Sequence, residues 1–263
     1  MRVILHADDF GYDKDTTRAT IELLECGALT SATIMPTMPA AEEAIAFAAA
    51  HKQLSFGVHL TYVDGLKPAL QKEGSTLLDA NGLFYPSNDI RKKAIKLALR
   101  KAAIVEESIA QIEIVRKGGV EISHLDSHGH LHKFPSFLLA LSEIKKRSGI
   151  SRVRRVQNVF LQKLGLSPIT ILNCCFDWRI AHTCKTTDYF YMSANNMETG
   201  WADAVLEQME RLPKNSIIEV GVHPGHADTE KERWRISEYQ DVADFAEKIR
   251  KQGKHQIITW KEV

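Results

Sequence analysis

"RVILHADDFGYD", residues 2–13, runs from apolar residues into two adjacent aspartates, Asp8 and Asp9. The apolar run reads as a β-strand. "DKDTTRATIELLECG" after it reads as a helix closed by Gly27, so the chain opens strand–turn–helix. A dinucleotide-binding open sheet would carry a Gly-rich turn here, letting a phosphate approach the helix. The turn is instead "DDFGYD", with carboxylates in that place. In a (β/α) barrel, chemistry collects at the carboxyl ends of the parallel strands, and a strand ending on two aspartates fits that rule.

The rest of the chain repeats the alternation. Strand-like runs are "LTSATIMP", "LSFGVHLTY", "GVEISHLDSH", "RVRRVQ", "DYFYMSA", "SIIEVGVHPG" and "HQIITW". Helix-like runs are "AAEEAIAFAAAH", Ile90 to Lys117, "SFLLALSEIKKRSG", "WADAVLEQMERL" and "EYQDVADFAEKIRKQG". Val63 to Asn88 reads as a long polar loop, and Asn158 to Lys185 is ambiguous with a helical leaning. That makes about eight strands separated by helices, the pattern of a parallel α/β fold. The strand ends carry Asp8 and Asp9, His59, His128 and His223, with Arg154 and Arg155 in the fifth strand. An open sheet would scatter these along its length, whereas a barrel brings them to one rim. The expectation is one catalytic domain over residues 1–263, a distorted or incomplete (β/α) barrel.

Composition narrows the function classes. The formal net charge is +1, too small for a whole-chain field that would draw nucleic acid or an anionic membrane. The basic runs Arg91 to Lys101 and Lys145 to Arg155 lie on or beside helical patterns and read as solvated faces. No run has the length of a membrane span, and "MRVILHADDFG" is not a signal peptide. Cys26, Cys174, Cys175 and Cys184 form no C-x-x-C pair, so the expectation is reduced thiols in the cytoplasm. Cys174, Cys175 and Cys184 with His182 match no usual zinc spacing.

Four short stretches carry residues suited to chemistry. Asp8 and Asp9, adjacent on a strand, should point to opposite sides, one free to bind a metal and the other to act as a base. Helix capping is the plainer alternative for such a pair. His59 in "GVHLT" alone would read as a core histidine. "HLDSHGHLHKFP" puts His124, Asp126, His128, His130 and His132 at one parity, so a continuing strand would line them on one face. Catalytic metals take about three protein ligands and keep a position open, so the remainder would orient those ligands. His223 in "GVHPG" is held by a rigid Pro-Gly turn, which suits a general acid or a substrate contact as well as a plain turn. An aspartate and two histidines from separate strands suit zinc, manganese, iron or magnesium. No G-x-S-x-G elbow and no G-x-x-x-x-G-K-[ST] loop is present, which removes the usual serine-hydrolase and P-loop routes.

"HADDFG", "GVHLT", "HLDSHGHLH" and "GVHPG", in this order and across nearly the whole chain, resemble the motifs of the YdjC-type carbohydrate deacetylases. The resemblance implies a distorted barrel related to the NodB-type polysaccharide deacetylases. It also implies one divalent metal, zinc or magnesium first and manganese, iron or cobalt after them. Matched motif by motif, Asp9, His59 and His128 fall on the metal ligands, Asp8 on the base and His223 on an active-site histidine. His6 stands where a small or amide residue is common, and Gly129 where another histidine often stands. "CCFDWRIAHTCKTTDYFYMSANN" does not align, which leaves the sugar open.

The implied reaction removes an acetyl group from an N-acetylated sugar or chitooligosaccharide. The ion would polarise the carbonyl and acidify water, Asp8 would take a proton, and His223, or else His130 or His132, would protonate the leaving amine. His130, His132, Arg154 and Arg155 are candidate substrate contacts, and Trp178, Trp201 and Trp234 candidate platforms for a sugar face. A metal-containing sugar-binding or regulatory protein without turnover is the alternative from another class; the Asp8/Asp9 pair speaks against it, since a binder needs no base. A metal-dependent phosphoesterase is a third, and it would prefer two ions. The expected partner is the sugar, with no nucleic acid and no membrane, and the resemblance leans toward a homodimer.

Overall fold

The computed structural model describes residues 1–161, 168–193, 200–226 and 233–263. Its strands are β1 (Arg2–Phe10), β2 (Ser31–Ile34), β3 (Ser55–Leu60), β4 (Ile122–Ser127), β5 (Tyr189–Met192), β6 (Ile217–Val222) and β7 (Gln256–Ile257). The helices are α1 (Lys14–Glu25), α2 (Ala41–Ala50), α3 (Ser87–Ile95), α4 (Lys101–Lys117), α5 (Pro135–Ser148), α6 (Pro168–Thr183), α7 (Ala202–Arg211) and α8 (Arg233–Gln252). Local chemistry sets several boundaries. Asp13 accepts the Thr16 N–H at 2.8 Å and caps α1. Pro135 opens α5, and Gly149 in a left-handed conformation closes it.

The strands run in the order β4-β3-β2-β1-β6-β5, with β7 beside β1, and every pairing is parallel. Bridges then carry the sheet round. Val153 pairs with Leu125 of β4, and Arg152 pairs with Lys185 just ahead of β5. The fold is therefore a distorted (β/α) barrel with an irregular seam at residues 152–154. "RVRRVQ" was expected as a full strand, and the structure corrects this to bridges alone. Beyond Arg154 the backbone leaves the ladder, because the Val156 N–H goes to the Asp177 carboxylate. "DYFYMSA" becomes β5, with Ala194 outside the described residues. "HQIITW" shrinks to β7, because a capping box at Thr259 and Glu262 turns the chain beneath the barrel.

Alternation divides β1. Val3, Leu5 and Ala7 belong to the large core between sheet and helices. Ile4, on the other face, packs with Ile217, Ile258 and Trp260 into a small plug inside the barrel. Above the plug the same inner face carries His6 and Asp8, and its neighbours carry Thr33, His59, His124, Asp126, Arg154 and Glu219, all essentially unexposed. Barrel interiors are usually filled by branched apolar side chains. This one is ionic from mid-depth to the rim, so polar pairing must hold it together. Gly57 lets the inner layer close: a Cβ there would lie 2.7 Å from the His124 carbonyl oxygen and 2.7 Å from Thr33 Cγ2.

Candidate active site

The register brings the strand ends level. Ala7 pairs with Val222, and His59 with Asp126, so Asp8, His223, His59 and Asp126 sit at neighbouring heights. Asp9 then departs from strand geometry, with φ +60°. A left-handed aspartate is strained but tolerated, and such positions gather at functional sites. It corrects the expectation that the two carboxylates diverge. Asp9 turns back over the mouth, 3.4 Å from His59 Nε2 and 3.0 Å from His128 Nδ1.

Donor atoms of Asp9, His59 and His128 lie within 4.8 Å of one another. Two imidazoles and a carboxylate from β1, β3 and the end of β4 form a donor set for a divalent transition ion or zinc. His59 Nδ1 donates to Asp126 Oδ1 at 2.8 Å, which turns Nε2 toward Asp9. Burial pulls the His59 imidazolium down, yet the Asp126 and Asp8 carboxylates push it up to about 9. A cation is wanted there, so the residues fit a metal. Two deeper donor groups share His6, one with His124 and Glu219 and one with Asp8 and Asp126. They fit less well, because Arg154 already pairs with Asp8, Asp126 and Glu219. The His6 nitrogens also meet the Ser31 and Thr33 hydroxyls.

Asp8 lies on the other side of the mouth. Arg154 grips both its oxygens, Nη1 at 2.8 Å from Oδ2 and Nη2 at 2.7 Å from Oδ1. Burial alone would raise this carboxyl, but Arg154 and then His59 hold it well below the usual carboxylate range. His223 Nε2 stands 3.8 Å from Asp8 Oδ2. Its Nδ1 faces Glu238 of α8 at 3.2 Å, and its backbone N–H bonds the same carboxylate. Burial depresses the His223 imidazolium, and the Glu238 bond and charge outweigh this and raise it. Arg235 of α8 bonds Asp9 Oδ2 at 2.8 Å. The mouth thus pairs an anion that stays ionised with an imidazole that favours its proton.

The histidine cluster departs from its expected parity. β4 ends at Ser127, and His128–Lys133 form a short 3₁₀ segment with Gly129 and His130 at φ +61° and +54°. The tight turn breaks the alternation after β4, so His124 and Asp126 share the inner face but the five residues do not line it together. His124 is buried and stacked on Trp260 with 4.3 Å between centroids. His132 is buried as a brace for the turn: Ser127 Oγ takes its backbone N–H and meets its Nδ1, each at 2.8 Å. Burial lowers His132 to about 4, against the pull of Asp126. His132 is thus tied to Ser127 on its Nδ1 side at 3% exposure. His130 stays partly exposed near Phe190, at 6.0 Å between ring centroids.

Arg154 and Arg155 are also corrected. Arg154, at 0% exposure beneath the carboxylates, is their counter-charge and no surface contact. Arg155 points outward and pairs with Asp177 of α6, Nε to Oδ1 at 3.0 Å. Trp201 is buried against Tyr191 and Phe245, so it offers no sugar platform. Trp234 packs edge-on to His223 at 5.3 Å, and Trp178 is exposed on α6. Glu238, Glu219, Thr33 and Arg235 were not singled out from the sequence. Nothing in "WRISEYQD" marks Glu238, whereas Glu219 in the apolar "SIIEVGV" was a readable signal of a buried charge.

A family model described as YdjC-like protein matches residues 2–259. The chain belongs to the YdjC-like family. Among curated relatives, a carbohydrate deacetylase of Vibrio cholerae is 28% identical over 87% of this chain and 80% of its own. A carbohydrate deacetylase of Geobacillus stearothermophilus is 27% identical over 86% of this chain and 80% of its own. Among solved structures, a candidate cellobiose-phosphate cleavage protein of Enterococcus faecalis V583 superposes with TM-score 0.79 at 22% identity, covering 99% of this chain and 98% of that one. The catalytic domain of a peptidoglycan N-acetylglucosamine deacetylase of Eubacterium rectale gives TM-score 0.51 at 12% identity, covering 98% and 87%. These likenesses support the YdjC-like barrel and leave the chemistry to the site.

Proposed function

We propose that this YdjC-like protein hydrolyses the N-acetyl group of an N-acetylated sugar or chitooligosaccharide with one divalent cation at Asp9, His59 and His128. The observation that carries the reading is the pairing across one mouth of an Arg154-held Asp8 with a Glu238-backed His223, 3.8 Å apart, beside a three-donor set. The relatives' names as carbohydrate deacetylases support it.

A cation held by the three donors supplies Lewis-acid polarisation of an amide carbonyl and a more acidic water. Asp8 Oδ2 accepts the proton of the attacking water, and Arg154 keeps the carboxylate ionised and aimed until then. His223 Nε2 donates to the departing nitrogen, since an amine does not leave as an anion. Glu238 on Nδ1 stabilises the imidazolium that does this. Of the four residues first considered for substrate contact, His130 remains at the mouth, and Trp234 joins it as a surface for a sugar ring.

The same reading holds the enzyme in the cytoplasm with reduced thiols, and all four cysteines are free. No described helix is long and apolar enough to cross a membrane. A homodimer is part of the proposal, and sedimentation tests it.

The decisive assay is acetate release from diacetylchitobiose and longer N-acetylated oligosaccharides, with zinc, magnesium, manganese, iron or cobalt supplied in turn. Release that requires one of these ions and Asp8 is the expected result. No release from any of them, alongside unaltered sugar binding by Asp8→Asn, would replace the enzyme with a binding protein.

A further inference from the structure

His6 takes part in none of these steps, yet it lies behind the base. It is wholly buried on the inner face of β1, two residues before Asp8. Its Nε2 is 3.3 Å from Asp8 Oδ1 and 3.1 Å from Thr33 Oγ1, and its Nδ1 is 2.9 Å from Ser31 Oγ. Donor accounting assigns the ring. Thr33 has one hydroxyl hydrogen and gives it to Asp126 Oδ2 at 3.0 Å, so toward both imidazoles beside it Thr33 only accepts. Asp8, as an anion, also only accepts. His6 Nε2 therefore carries a hydrogen, given to Thr33 Oγ1, and that N–H lies against Asp8 Oδ1 at 3.3 Å.

We infer that His6 is a positioning residue for Asp8. Its Nε2–H backs Oδ1 from below while Arg154 Nη2 holds the same oxygen at 2.7 Å, and together they keep Oδ1 inward and leave Oδ2 as the oxygen facing His223. Through Thr33 it ties the base to Asp126, and so to the carboxylate that orients His59. One buried ring thereby couples the two halves of the mouth. This rests on the deacetylase reading for its consequence, although the ring assignment stands on geometry alone.

His6→Leu removes the donor, and His6→Gln returns an Nε2–H at a similar reach. With the substrate that releases acetate from the wild type, His6→Leu is expected to lose about 10–100-fold in kcat, the usual range for an outer hydrogen-bond partner, with KM and metal content held within about two-fold. His6→Gln should recover most of the loss. A His6→Leu kcat within about two-fold of wild type, or a Gln variant no better than Leu, overturns the inference. If His6→Leu does not fold, the ¹⁵N signals of the wild-type ring decide: hydrogen on Nε2 is expected, and hydrogen on Nδ1 alone overturns it. A wild type that releases no acetate removes the deacetylase reading and leaves that ring assignment to be judged by its own spectrum.

Discussion

His59 gives its Nδ1–H to Asp126 across 2.8 Å, and that bond determines which nitrogen the ring turns toward Asp9. Asp126→Asn removes the charge, weakening the bond and also one partner of Arg154. Metal affinity should fall about 10–100-fold, as for other outer partners of ligand histidines. Competition titration against a chromogenic chelator measures it, and an unchanged affinity would detach Asp126 from the metal centre.

The same pair sets a proton balance. The folded imidazolium of His59, at about 9, lies above its ordinary value near 6.5, so its contribution to stability is full below about 6.5 and is lost as pH rises through about 9. In metal-free protein, the stability gap between wild type and His59→Gln should therefore narrow from pH 6.5 to 9.5 in urea titrations. Metal needs the bare Nε2, so uptake near pH 7.5 should release about one proton from His59. Calorimetry in buffers of different ionisation enthalpy reads this directly.

His128→Ala should lose the ion, because it deletes one of the three donors at the mouth. His124→Ala should keep it. That ring lies deeper, stacked on Trp260, and removing it should destabilise the fold by about 3 kcal/mol, as for other large buried rings. Metal analysis and urea unfolding of the two variants separate these effects. The reverse pattern would mean that the β4 register is misassigned.

How far the sequence carried this depends on which forces it exposes. The barrel was legible because apolar runs and the polar residues closing them are local signals, and Asp8, Asp9, His59 and His128 each end such a run. Parity failed at Gly129 and His130, since a left-handed turn follows from backbone geometry that alternation does not encode. Arg154 and Arg155 look alike in "RVRRVQ"; the barrel seam sends one inward to three carboxylates and the other outward to Asp177. Glu238 reaches His223 only through the docking of α8, a tertiary relation with no sequence period.

Among the described residues, Arg154 is the single guanidinium that Asp8, Asp126 and Glu219 share at full burial. Arg154→Met leaves buried carboxylates without it and should destabilise the protein by about 3–5 kcal/mol. Arg154→Lys should rescue little, because a point charge does not reproduce a fork that meets three partners. Unfolding midpoints measured at equal slope test both variants.

Glu238→Gln separates the acid from the base. Glu238 raises the His223 imidazolium through its bond and its charge. With glutamine there, His223 loses its proton at lower pH. The alkaline limb of the rate profile, where the acid form runs out, should move toward neutrality, while the metal content stays as in wild type. At pH 8 kcat should drop about ten-fold or more, within the range for general acid catalysis, with KM little changed. Toward acid pH the two enzymes should approach each other, as His223 takes up its proton in both. A uniform loss at every pH would instead assign Glu238 to holding α8 against the mouth through Ser193 and the His223 backbone, leaving the proton on His223 unaffected.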